Sequence, residues 1–233
     1  MFKNTVPAFL IAVGIASAGY SVGSAISHNQ NFNRYVSVKG LAEKIVKSNK
    51  AVWQLNFSYA DDELVNVYQG IAKAQTAAKD FLQKQGFNDQ DVELQPVSIT
   101  DNDASTYNTN VKGKRYKANA GIVLTTEQVD KVKEAVQQTG SLVQQGVLID
   151  NSYVRYLYTE LNTIKPGLLN EATSNAKTAA ESFAHNAQSK LGSIRQASQG
   201  LFSISDISDP NASSGTDVMK KVRVVTSVDY FLK

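Results

Sequence analysis

One stretch of the chain decides the fold: residues 50–86 read KAVWQLNFSYADDELVNVYQGIAKAQTAAKDFLQKQG. Its first ten residues alternate, with Trp53, Leu55 and Phe57 on one side and mostly polar side chains on the other, which is typical of a strand with one buried face. Apolar residues then recur every three or four positions until Gly86, which is the spacing of an amphipathic helix and its end. The stretch therefore predicts a sheet strand followed directly by a helix that packs on the apolar face.

The same order of elements recurs along the rest of the chain. Helices are predicted to begin near Asp61, Gln128 and Pro166, and the third is predicted to end at Gly192. The predicted strands are residues 36–40, 50–59, 92–100, 115–124, 142–149, 153–161, 194–204 and 222–232. Helix, strand, strand thus occurs three times after an opening strand pair. This order predicts an α+β fold with antiparallel sheets, helices on one face and repeated βαββ-type units.

The third predicted helix carries a face of small and apolar residues. Leu169, Ala176 and Phe183 lie on this face, which is spaced for close approach to a sheet. A division near Leu124 would separate residues 35–125 from residues 126–233. Because no Pro-rich or Gly- and Ser-rich linker lies there, we expect the two halves to touch.

The chain opens with an apolar segment that begins at Val6 and ends at Ile26. Lys3 precedes the segment and Arg34 is the first fixed charge after it. The segment is long enough to cross a membrane, so residues 1–34 are predicted to be a membrane anchor or an export signal. Both alternatives place the body outside the cytoplasm, because a lone N-terminal positive charge tends to stay inside.

Two features of this segment separate the alternatives. Ala16, Ser17 and Ala18 resemble a cleavage site, which would release a soluble exported body after about Ala18. Gly19 and Gly23 have the GxxxG spacing of paired membrane helices. We favour an uncleaved anchor that tethers the body to the membrane, and cleavage remains the alternative.

The composition and the motifs of the chain exclude several kinds of functional site. The chain has no cysteine and only two histidines, and its formal net charge is +3. Disulfides, thiolate nucleophiles and cysteine metal sites are therefore excluded, and interleaved charges give no broad field for nucleic acid. There is no GxSxG motif for a serine hydrolase and no glycine-rich phosphate loop.

The remaining polar candidates have ordinary structural explanations. Asp101, Asp103 and Ser105 have alternate spacing as in a calcium loop, but the glycine and the glutamate of that loop are missing, so we interpret them as a hairpin tip. His185 is predicted to be a solvated helix residue. A carboxylate site at a residue such as Glu160 or Asp229 is a minor hypothesis. The sequence therefore predicts no catalytic residue, no cofactor and no metal.

Three tyrosines on one predicted strand are the candidate binding or interface residues. Tyr153, Tyr156 and Tyr158 can line a face for a sugar or an apolar ligand, or pack at a subunit interface. Tyr153 is expected to point away from the other two, because it is three positions from Tyr156 and five from Tyr158, and odd offsets lie on opposite faces of a strand.

Several segments resemble the SIMPL-domain proteins. The resemblance rests on the opening VSVKGLAEK at residues 36–44, the alanine-rich residues 171–190 running into LGSI, and the closing strand at residues 222–232. It covers about residues 35–233. The resemblance implies a bacterial periplasmic or envelope protein of α+β class that oligomerises, with relatives linked to oxidative-stress defence or, in animals, to kinase signalling. The family has no agreed catalytic residues.

Two functions follow as hypotheses. The first is a non-enzymatic envelope protein that self-associates, through strand edges or the alanine-rich helix, and protects or organises other envelope components. The alternative is a binding module for a small or polymeric envelope ligand that uses the tyrosine strand. The predicted partners are other copies of the chain, and the membrane if the segment is uncleaved.

Overall fold

The computed structural model describes residues 14–21, 23, 34–104, 113–208 and 215–233. It confirms the predicted α+β class with antiparallel sheets. The strands are β1 (Tyr35–Lys47), β2 (Lys50–Asp61), β3 (Val92–Leu94), β4 (Ser98–Asp101), β5 (Tyr116–Thr126), β6 (Leu148–Leu157), β7 (Leu191–Gln199), β8 (Ser203–Asp206) and β9 (Met219–Leu232). The helices after residue 34 are α1 (Leu64–Lys84), α2 (Val129–Gln137), α3 (Gly140–Gln144) and α4 (Leu161–Asn186).

The chain divides into two compact units that are built from non-consecutive segments. The first unit contains Met1–Lys44, Ile164–Ser203 and Arg223–Lys233, and the second contains Ile45–Thr163 and Ile204–Val222. The consecutive halves expected from the sequence, residues 35–125 and 126–233, stay a prediction.

The core of the second unit lies between a five-stranded sheet and α1. The strand order is β3-β5-β2-β6, and β4 also pairs with β5. Trp53, Leu55 and Phe57 of β2 are buried, as the alternation of residues 50–59 predicts. The Trp53 ring meets the ring of Phe81 on α1 edge to face, with 6.3 Å between the ring centroids. The strand and the helix predicted from residues 50–86 therefore pack together as expected.

The core of the first unit lies under α4. Strand β9 runs between β1 and β7, and its even-numbered residues from Val224 to Tyr230 are buried. The face that α4 buries consists almost entirely of alanine: Leu168, Ala172, Ala176, Ala180 and Ala184. The helix approaches β1 so closely that a β-carbon at Gly40 would lie 1.8 Å from the carbonyl oxygen of Ala172. Small residues on both sides thus set the spacing between α4 and the strand.

The prediction of a strand pair at residues 142–149 and 153–161 is wrong. Residues 142–144 belong to α3, the chain turns at Gly146 with a φ of +85°, and β6 is a single strand. The side chain of Leu142, which lies on this helix, is fully buried. A short apolar run cannot be assigned to helix or strand by its period alone, which accounts for the error.

Two other predicted strands differ from the structure. The strand predicted at residues 92–100 is interrupted around Pro96, which has no N–H for a ladder. The strand predicted at residues 194–204 is two strands, β7 and β8, separated at Gly200. A β-carbon at Gly200 would lie 2.4 Å from the carbonyl oxygen of Val225, so the chain passes that backbone too closely for a side chain.

The third helix also starts and ends earlier than predicted. Pro166 lies inside α4 rather than at its first turn, and Gly192 belongs to β7 rather than to the helix end. Leu168 is the buried leucine and Leu169 is half-buried, while Phe183 is 59% exposed. The buried face follows the four-residue spacing of the alanines, and this spacing leaves Phe183 outside.

Two predicted features fall mainly on residues that the structure does not describe. The apolar segment from Val6 to Ile26 is described only at residues 14–21 and 23, which are helical. Within the described ranges, no helix combines the length and the apolar character needed to cross a membrane. Residues 105–112 of the predicted hairpin tip also lie outside the described residues.

Candidate functional site

Strand β6 carries two of the three candidate tyrosines and lies at the edge of its sheet. Its antiparallel register with β2 places Tyr156 opposite Ala51 and Tyr153 opposite Gln54. Tyr156 is therefore on the core side and only 7% exposed, whereas Tyr153 is on the other face and 38% exposed. Tyr158 follows the strand, and its hydroxyl donates a hydrogen bond of 3.1 Å to the carbonyl oxygen of Glu160.

The structure brings Tyr156 and Tyr158 together at one pocket and leaves Tyr153 out of it. The pocket has a volume of about 290 Å³ and lies within the second unit. Its lining residues come from the end of β6, from β8 and from the start of β9: Tyr156, Leu157, Tyr158, Thr159, Ile204, Ser205, Asp206, Gly215 and Lys220.

A buried ion pair forms part of the pocket wall. The ammonium of Lys220 donates to Oδ1 of Asp206, and these side chains are only 4% and 2% exposed. The backbone N–H of Thr216 donates to Oδ2 of Asp206 at 2.9 Å, and the Thr216 hydroxyl lies 3.3 Å from the same oxygen. A buried charge pair needs such additional hydrogen bonds, because both groups have lost their contact with water.

Sequence reasoning did not find this ion pair, although a signal was present. Lys220 lies in phase with the buried positions of β9, two residues before Val222. Extending the alternation toward the start of the strand would have placed a lysine in the core. A lysine at a core position requires an acidic partner, and Asp206 lies between the strands predicted at residues 194–204 and 222–232.

The phenol of Tyr156 is a hydrogen-bond donor at neutral pH. Burial raises its pKa above the ordinary value of 10.0, and the negative charge of Asp130 raises it further. Tyr156 also lines a second pocket of about 420 Å³, together with Lys133 and residues 216–219. Tyr156 therefore lines two pockets of the second unit, and its phenol is protonated at neutral pH.

Part of the outer edge of β6 is open. The backbone N–H of Tyr156 donates to the carbonyl oxygen of Gly215 at 2.6 Å, so this end of the edge is covered. Since outward-facing groups alternate along an antiparallel strand, the backbone groups of Ser152 and Val154 also point away from β2. Residues 150–153 are all exposed, and no other strand of the described chain pairs with this edge.

Comparison with known families gives one match. The family model described as SIMPL, a protein of unknown function (DUF541), matches residues 36–230. The chain belongs to the SIMPL family. The matched range includes all three candidate tyrosines and both members of the buried ion pair. SIMPL proteins are generally found in the cell envelope or periplasm and are not known as enzymes. No curated protein matches this chain.

The other polar candidates of this SIMPL protein lie apart from the pocket lining. Asp101 accepts two hydrogen bonds from the guanidinium of Arg115, at 3.3 and 3.1 Å, and these bonds hold the pKa of Asp101 below its usual range. His185 and Glu160 are exposed, and Asp229 lies 3.9 Å from Arg195. Among the described residues, no cluster of three or more His, Asp or Glu side chains forms a metal site.

Proposed function

We propose that this SIMPL protein is a non-enzymatic envelope protein that self-associates through the open edge of β6. The assembly protects or organises other envelope components, including under oxidative stress. The observation that carries the proposal is the edge itself, with outward backbone groups at Ser152 and Val154 and four consecutive exposed residues. Unpaired strand edges are templates for pairing with another chain.

The alternative surface for self-association is less suited to the role. The alanine-rich face of α4 is buried within its own unit, where Ala172 and Ala176 lie against Gly40. Its outward face is largely polar, with Thr173, Lys177 and Glu181 exposed. The proposal therefore assigns self-association to the strand edge.

We further propose that the protein is periplasmic and tethered to the inner membrane by the segment from Val6 to Ile26. The alternative is a soluble periplasmic protein cut after about Ala18. The intact mass of protein purified from the native envelope distinguishes the two, since cleavage yields a chain that begins at Gly19. Retention of Met1 in the membrane fraction supports the tether.

The test of self-association uses two substitutions at one position in the full-length protein. Val154→Pro removes the outward N–H without removing a bond to β2, whereas Val154→Ala shortens the side chain and keeps the N–H. We expect the native mass measured by light scattering to fall for Val154→Pro and to stay at the wild-type value for Val154→Ala. Circular dichroism checks that both variants are folded.

Two results would contradict the proposal. One is a wild-type protein that remains monomeric at high concentration. The other is a Val154→Pro variant that is folded and has the same native mass as the wild type, which would place the contact elsewhere.

A second candidate function is a binding module, and the pocket beside Tyr156 and Tyr158 supports it. Two aromatic rings, apolar side chains and a few polar groups in a concave site are typical of ligand sites. A ligand that binds there stabilises the folded state, so cell-wall fragments, lipids and haem are to be compared by thermal denaturation. Saturable stabilisation is the expected result, and no response to any of them would count against this function.

A further inference from the structure

We infer that the pocket beside Tyr156 and Tyr158 binds a small, neutral, largely apolar molecule through a carbonyl oxygen that accepts a hydrogen bond from Lys220. This inference rests on the second candidate function, because it names the ligand class of the same pocket. It is independent of the edge of β6 and of self-association.

The size and lining of the pocket favour a small apolar body. The volume of about 290 Å³ is at the lower end of the range for small-molecule sites. The apolar and aromatic residues of the lining are Leu157, Ile204 and the two tyrosines. A polymeric ligand would not be enclosed by a space of this size.

Lys220 has donor capacity that its recorded partner does not use. An ammonium group has three protons, and among the described residues the only acceptor recorded for Lys220 is Asp206. Asp206, in contrast, also accepts from the N–H and the hydroxyl of Thr216. The pair therefore has spare donors rather than spare acceptors at the pocket wall.

Tyr156 and Tyr158 also line the pocket. The Tyr158 hydroxyl is already engaged with the carbonyl oxygen of Glu160. The spare donors of Lys220 therefore favour a ligand group that only accepts hydrogen bonds, as a carbonyl oxygen does.

The charge of the ion pair selects against charged ligands. Lys220 and Asp206 neutralise each other, and both are almost fully buried. A carboxylate or an ammonium on the ligand would add an unpaired charge to this site, and a buried unpaired charge is costly. A carbonyl oxygen completes the hydrogen bonding of Lys220 without changing the net charge.

The experiment compares two probes that differ only in the carbonyl group, 2-acetylnaphthalene and 2-ethylnaphthalene. Both are titrated into the full-length protein, with binding followed by the fluorescence of the naphthalene ring. We expect 2-acetylnaphthalene to bind at least about tenfold more tightly, as is typical of a hydrogen bond from a charged donor.

The variant that tests Lys220 removes both charges at once. The double substitution Lys220→Met with Asp206→Asn leaves no unpaired charge and keeps an amide oxygen for the Thr216 N–H, so the fold is expected to persist. In this variant the preference for 2-acetylnaphthalene should fall to within about twofold. Lys221→Met, at the neighbouring position of β9 and out of phase with the buried residues, should keep the full preference.

The possible outcomes separate the two claims. Saturable binding of both probes with equal affinity overturns the ligand class and leaves the binding-module function in place. A preference that persists in the folded double variant also overturns the role of Lys220. Binding of neither probe overturns the inference, whereas the second candidate function is decided separately by the thermal denaturation series and self-association by light scattering.

Discussion

Gly40 shows how one residue sets the distance between two elements. Its missing side chain allows β1 to lie against α4, where a β-carbon would be 1.8 Å from the carbonyl oxygen of Ala172 and 2.5 Å from the amide nitrogen of Ala176. Both neighbours are backbone atoms, so no side chain can rotate away. Gly167, which lies inside α4, has open space around its position instead.

We predict opposite effects of alanine at these two glycines. Gly40→Ala should lower the free energy of unfolding by about 1–3 kcal/mol or more, because the added methyl group forces α4 away from β1. Gly167→Ala should raise it by up to about 1 kcal/mol, because alanine favours the helix. Urea denaturation of both variants measures the difference. Equal stability of Gly40→Ala and the wild type would contradict the close contact.

Lys220 shows the limit of single-residue patterns. Its place in the alternation of β9 is visible in the sequence, so a buried lysine could have been predicted there. Its partner could not, because Asp206 is brought to it by the pairing of β8 with β9. The identity of a charge partner depends on tertiary contacts, which no local period encodes.

At the scale of elements, ion pairs join the turn between β2 and α1 to the start of β5. The ammonium of Lys114 lies 2.5 Å from Oδ2 of Asp62, and the N–H of Arg115 donates to Oδ1 of Asp62 at 3.1 Å. The hydrogen bond from Lys114, followed by that from the Arg115 backbone, holds the pKa of Asp62 below its usual value of 3.8. Both side chains are exposed, so the expected stabilisation is modest.

The lowered pKa predicts how acid affects stability. Asp62 contributes to stability above its usual pKa of 3.8, and this contribution disappears as the pH falls through the lower pKa of the folded state. We expect Asp62→Asn to lower the urea midpoint at pH 5 and to reduce the further loss of stability on acidification. Asp80→Asn, at an exposed position of α1, is the control and should show the wild-type dependence on pH. An unchanged pH dependence in Asp62→Asn would contradict the contact.

The helices and strands also differ in how well they can be predicted from the sequence. Strand β2, strand β9 and helix α1 were predictable because their periods of two and 3.6 residues extend over many positions. Helix α3 was missed because it has only five residues. The segments around Pro96 and Gly200 were each predicted as one continuous strand. The break at Pro96 has a local signal, because proline has no N–H for a ladder. The break at Gly200 depends on the backbone of Val225 on the neighbouring strand.

At the scale of the whole molecule, the strands differ in how completely they are paired. In the second unit, β2 is paired on both sides, by β5 and β6, and its core-facing residues are buried. In the first unit, β9 is paired on both sides, by β1 and β7, whereas β7 is at the edge and almost entirely exposed. Local opening requires the least free energy where few buried contacts must break.

We therefore predict an order of amide hydrogen exchange. Amides of β2 and β9 should exchange most slowly, and those of β7 should exchange much faster than those of β9 under native conditions. Mass spectrometry of peptides from the full-length protein measures this, with β9 as the internal reference for β7 in the same unit. Equal protection of β7 and β9 would show that another segment or another copy of the chain covers β7.

The sequence by itself determined the α+β class, the main helix and strands, the lack of cysteine chemistry and the placement of Tyr153 on the opposite face from Tyr156. These properties follow from composition and from periods that act over neighbouring residues. Only the tertiary structure decided that Tyr156 and Tyr158 share a pocket with Lys220 and Asp206, and that the edge of β6 is partly open. Those facts depend on which distant segments pair, and strand pairing joins residues that are far apart in the chain.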